Sequence, residues 1–113
     1  MNVPDGNNIR KRLFDKLKEE HCFWSYDASS LDSINDDMLI EETMRHLDID
    51  EINLLFKLYP YSKVKRVWLD RLVPEGEYLF SMNRLFAWYY FNAKKPTAYV
   101  KSMATRYFNR HFS

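Results

Sequence analysis

From Ile9 to Phe108 the apolar side chains recur three and four residues apart, the repeat of helices that each bury one face. No alternating pattern competes with it. Residues 85–91 have the composition of a short buried strand, but the helical spacing continues on both sides of them. The expectation is an all-α fold, a compact bundle of five or six short helices in orthogonal or irregular packing. It forms a single helical domain over residues 1–113, with residues 1–8 frayed.

Caps and breaks place the helices. Ile9, Leu13, Phe14 and Leu17 predict a helix over 9–20. Asn35 or Asp36 caps a second over about 36–47, whose buried stripe is Ile40, Met44 and Leu47; its early acids suit the positive end of the helix dipole. Asp48 or Asp50 caps a third over about 50–59, with Ile52, Leu55, Phe56 and Tyr59 apolar, and Pro60 stops it. Ser62 caps a fourth to Leu72, with Val64, Val67, Trp68 and Leu72 inward. Pro74 and Gly76 break the chain again. From Glu77 to Asn92 the pattern is apolar almost all round, so this helix is expected to be central, with Tyr78, Met82, Leu85, Phe86 and Tyr89 as its main stripe. Pro96 opens the last helix, where Val100, Met103, Ala104, Tyr107 and Phe108 face the core.

The composition excludes several classes. Two glycines in 113 residues leave no Gly-rich phosphate loop and no collagen repeat. One cysteine leaves no disulfide framework and no multi-Cys zinc site. No apolar run approaches the ~20 residues of a spanning helix, and residues 1–12 hold no hydrophobic block of a signal peptide. A reduced, cytoplasmic protein without cofactor or membrane partner is expected.

The net charge of +1 is a cancellation. Residues 1–60 hold 7 basic and 13 acidic side chains, and residues 61–113 hold 10 and 3. Residues 78–113 contain six cations, no acid and eleven of the nineteen aromatics. This asymmetry concerns partners more than fold. The candidate basic partner surface is Lys63, Lys65, Arg66, Lys94, Lys95, Lys101, Arg106 and Arg110. The candidate acidic surface is Asp36, Asp37, Glu41, Glu42, Asp50 and Glu51.

Cys22-Phe23-Trp24-Ser25-Tyr26-Asp27, the helix start from Ile34 to Ile40, Leu47-Asp48-Ile49-Asp50 and the Tyr90-to-Pro96 segment carry a further signal. Together they resemble a bacterial domain-of-unknown-function family with a Phe-Trp-Ser-Tyr-Asp opening. Leu47 stands where part of that family has a small residue. Some of its members neighbour nucleotidyltransferase-type toxin genes. The resemblance spans roughly residues 21–100, implies an antitoxin or regulatory role, and implies no catalytic residues.

Catalytic and metal patterns are weak. Cys22 is the single thiol and His21 its neighbour, but adjacent residues rarely face each other as nucleophile and base. Glu42 and His46, four apart, share a helix face without a second His nearby. The Asp27–Met38 stretch lacks the glycine and closing Glu of an EF-hand. The expectation is a non-enzymatic protein-interaction or regulatory domain that binds a protein partner or itself. The alternative is a nucleic-acid-binding regulator using the basic, aromatic C-terminal part.

Overall fold

A computed structural model describes residues 6–20 and 35–112. The expectations for residues 1–5, for the His21–Cys22 pair, for the aromatic opening at 23–27 and for the turn over 27–34 lie outside the described residues. The elements are α1 (Gly6–Glu19), α2 (Asp36–His46), α3 (Ile49–Leu58), α4 (Tyr61–Val67), a π-helical turn (Trp68–Leu72), a 3-10 segment (Val73–Leu79), α5 (Phe80–Tyr89) and α6 (Pro96–Phe112). Among the described residues there is no strand, and the fold is all-α. The chain divides into two units, Met1–Val64 and Lys65–Ser113, so the boundary falls inside α4.

In the first unit α1, α2 and α3 pack against one another. Ile9, Leu13, Phe14 and Leu17 are buried from α1, Leu39, Ile40 and Met44 from α2, and Ile52 and Leu55 from α3. The stripes expected for α1 and α2 are therefore the buried ones. Asn35 caps α2: its side-chain oxygen accepts from the Met38 amide at 2.8 Å. Asp48 occupies the cap position of α3 without a side-chain hydrogen bond. Pro60 ends the α3 path, and its carbonyl receives the amides of Lys63 and Val64, so α4 starts one residue before Ser62.

In the second unit the 3-10 segment, α5 and α6 pack together, and the π-helical turn meets the 3-10 segment and α6. The core is built on Trp68, Leu72, Val73, Leu79, Phe86, Ala87, Phe91 and Val100. Trp68 stacks on Phe91 at 4.6 Å between ring centroids and on Tyr99 at 6.3 Å.

The helix expected over 77–92 differs in two ways. It begins at Phe80, because the 3-10 segment continues past Gly76 (φ +66) to Leu79, whose φ −112 and ψ 15 lie off the α-helical path. It is also covered on one side only. Its buried face is Asn83, Phe86 and Ala87, whereas Tyr78 is 83% exposed, Trp88 60%, Tyr89 49% and Leu85 44%. The physical reason is Asn83. Its buried amide accepts from the Trp68 indole and donates to the Leu72 carbonyl, both at 3.0 Å. Those bonds turn the Asn83 side of α5 inward, so Leu85 and Trp88, on the opposite side, face solvent.

Past α5, Asn92 takes φ 55, which asparagine tolerates better than most residues. Phe91 donates to the Phe86 carbonyl and Ala93 to the Ala87 carbonyl, closing a widened final turn. On α6, Val100 is buried and Met103, Ala104 and Tyr107 are half-buried, but Phe108 is 61% exposed and is not part of the core.

Candidate functional site

The acidic residues singled out from the sequence do not form one open surface. Asp36 is drawn into a cluster: one carboxylate oxygen accepts from the Tyr59 hydroxyl at 2.7 Å and from Arg10 Nε at 3.3 Å, and the other lies 3.6 Å from Lys63 Nζ. The Tyr59 hydrogen bond, aided by the Arg10 and Lys63 charges, holds the Asp36 carboxyl below its ordinary value against an opposing desolvation. Burial, then the bond to Asp36, pushes the Tyr59 phenol up to about 12. Glu41 pairs with Arg45 at 2.8 Å.

Glu42 is buried and lies 3.2 Å from His46 Nε2. Desolvation raises its carboxyl, opposed by His46. Among the described residues no third ligand joins this pair into a metal-holding group. Asp37 is half-buried and engaged, while Asp50 is exposed and Glu51 half-exposed in the first turn of α3. Local cations thus neutralise much of the acidic set within its own unit.

The basic residues are also divided. Lys63 belongs to the first unit and is held between Asp36 and the Tyr59 ring, 5.5 Å from its centroid. In the second unit, Lys65 lies over the rings of Phe91 and Tyr99 at 6.0 and 5.8 Å. Arg66 reaches Asp70 at 3.9 Å. On α6, Lys101 and Arg106 are five residues apart, which at 3.6 residues per turn puts them roughly 140° apart around the axis. Lys101 leans over Phe80 at 6.0 Å, and Arg106 and Arg110 share the other flank. Lys94, Lys95, Lys101, Arg106 and Arg110 have no carboxylate in ion-pair range among the described residues. On α6 itself the cations therefore lie on both sides of the buried stripe.

The feature that sequence reasoning assigned to the core is the outward face of α5. Leu85 and Trp88 are three apart, and Leu85 and Tyr89 four apart, so all three share one helix surface. Tyr89 meets Trp88 at 6.2 Å and Tyr90 edge-on at 4.8 Å, which makes a connected aromatic patch. Arg84 flanks it from the same helix. The available signal was Asn83, an uncharged polar residue near the middle of a largely apolar segment.

Comparison with protein-family models, with curated proteins and with solved structures gives no match to this chain. Among the described residues no helix is long and apolar enough to cross a membrane.

Proposed function

We propose that the chain is a non-enzymatic cytoplasmic interaction domain that docks a protein partner on the outward face of α5. The observation that carries this is the joint exposure of Leu85, Trp88 and Tyr89 opposite the buried Asn83–Phe86–Ala87 face. Exposing large apolar side chains together is costly in water, and such patches serve as contact sites. Trp and Tyr are the residue types that dominate binding energy at interfaces. Arg84, on the same helix, adds positive charge and favours a partner with acids around an apolar centre. The resemblance to the bacterial family extends this reading to an antitoxin-like or regulatory role, with a toxin protein as the partner.

The test uses the double variant Leu85→Ala/Trp88→Ala, both at exposed positions. Wild type should form one stoichiometric complex with a captured and then purified partner, or a concentration-dependent oligomer in sedimentation equilibrium. The variant should lose it with an unchanged circular dichroism spectrum. Identical capture and sedimentation by both proteins would falsify the reading.

A second reading rests on the cations without carboxylate partners. Lys94, Lys95, Arg106 and Arg110 on the second unit are suited to phosphate contacts, with Trp88 or Tyr89 stacking on bases. Polarisation titrations with duplex and single-stranded DNA and RNA at two salt concentrations separate the readings. Affinity that falls steeply with salt supports nucleic acid, and no binding at low salt removes it.

A further inference from the structure

Between the 3-10 segment and α6 lies a groove of about 510 Å³, within the roughly 300–1,000 Å³ of small-ligand sites. Val73, Phe80, Val100 and Ala104 give it an apolar wall, and Lys101, Thr105 and Glu77 supply its polar groups. Gly76 also borders it. At φ +66 a Cβ there would meet nothing within 4 Å, so no side chain fills this part of the wall.

Two cations converge on Phe80. The Arg84 guanidinium lies 5.4 Å and the Lys101 ammonium 6.0 Å from its ring centroid. Arg84 also reaches the Thr97 hydroxyl at 3.5 Å. Neither cation has a carboxylate in ion-pair range among the described residues. An apolar wall bordered by Lys101, with Arg84 close by on Phe80 and neither cation held in an ion pair among the described residues, is complementary to a molecule with an apolar body and one anionic end. Glu77, the one carboxylate lining the groove, opposes a second negative charge.

The geometry points to this groove as a binding site for small amphipathic monocarboxylates. The apolar body lies along Val73, Phe80, Val100 and Ala104. The carboxylate pairs with Lys101, and Arg84 reinforces the field. A charge-assisted pair at the edge of an apolar surface is stronger than the same pair in open water. The site is separate from the Leu85–Trp88–Tyr89 face and does not rest on the reading given to it.

Decanoate, held below its micelle-forming concentration, is the probe, followed by amide NMR on the full chain. Saturable shifts centred on residues 73–80 and 100–105 are expected. Lys101→Gln, at an exposed position, should weaken binding about tenfold, the effect of losing one charge-assisted contact. Glu77→Gln should tighten it, and Ala104→Trp should abolish it while the far-ultraviolet spectrum is retained. Decylamine, with the same body and opposite charge, should bind at least about tenfold more weakly. Equal binding of decylamine, or unchanged affinity in Lys101→Gln, overturns the assignment. So do shifts that do not saturate. Saturable shifts centred on Leu85, Trp88 and Tyr89 overturn the groove and leave the α5 face standing as a docking surface.

Discussion

The indole N–H of Trp68 donates to the side-chain oxygen of Asn83 at 3.0 Å, and both residues are completely buried. Asn83 donates in turn to the Leu72 carbonyl, at the point where the π-helical turn gives way to the 3-10 segment. Both partners of Asn83 are buried polar groups with no route to water. Asn83→Leu should therefore destabilise by about 2–4 kcal/mol, despite its added apolar character, because it orphans a donor and an acceptor together. Urea unfolding at neutral pH measures this. A loss under about 0.5 kcal/mol would show that the pair does not hold the second unit's core.

The two tryptophans of the second unit should separate sharply. Trp68→Ala removes a buried ring stacked on Phe91 and should cost about 3–5 kcal/mol. Trp88→Ala alters a side chain 60% exposed and should stay within about 0.5 kcal/mol. Thermal and urea unfolding of the two variants give the comparison. A large loss at Trp88 would mean that its face is already covered in the isolated chain.

Tyr59 and Asp36 make stability sensitive at both ends of the pH scale. Asp36 has its carboxyl lowered chiefly by the Tyr59 hydroxyl, so its contribution is present above about 3.8 and is lost as pH falls below that. Tyr59 is raised to about 12, so its contribution is present below 10 and is lost as pH rises from 10 through about 12. Tyr59→Phe should cost about 1 kcal/mol at pH 7, since the half-exposed carboxylate is partly rehydrated, and its difference from wild type should shrink at pH 3. Ultraviolet titration of the phenols should show a late-ionising component that the variant lacks.

Thr43 is buried in α2, and its hydroxyl has no hydrogen-bond partner. A valine has nearly the same shape without the unsatisfied oxygen. Thr43→Val should be neutral or stabilising by up to about 1–2 kcal/mol, against the usual direction of core substitutions. The readout is the midpoint of urea unfolding. A destabilisation beyond about 1 kcal/mol would mean that the hydroxyl has a partner in solution, such as a bound water.

Where each helix has one polar and one apolar side, the sequence is readable. Ile9, Leu13 and Leu17 bury together, as do Ile40 and Met44, because apolar residues four apart leave only one face to hide. Asn35 marks the start of α2, and Pro60 the break between α3 and α4, by local chemistry alone. In α5 the pattern loses its power. Apolar residues fall on every side of the helix, so periodicity cannot say which side turns inward, and Leu85, Trp88 and Tyr89 are indistinguishable from core residues until Asn83 finds its two partners. The candidate charges show the same limit. Composition counts Lys63 and Asp36 on opposite sides of the division, and folding brings them to 3.6 Å.

The sequence by itself determined the helical class, most helix limits, the buried stripes of α1 and α2, and the concentration of cations and aromatics after residue 78. All of these depend on neighbours a few residues apart. Tertiary structure alone decided which face of α5 meets water, how α6 distributes its cations, and that Lys101 and Arg84 meet over Phe80 beside an apolar groove. These depend on groups distant in the chain. Trp68 and Asn83 are fifteen positions apart, and a hydrogen bond across that separation is set by packing, which no local spacing encodes.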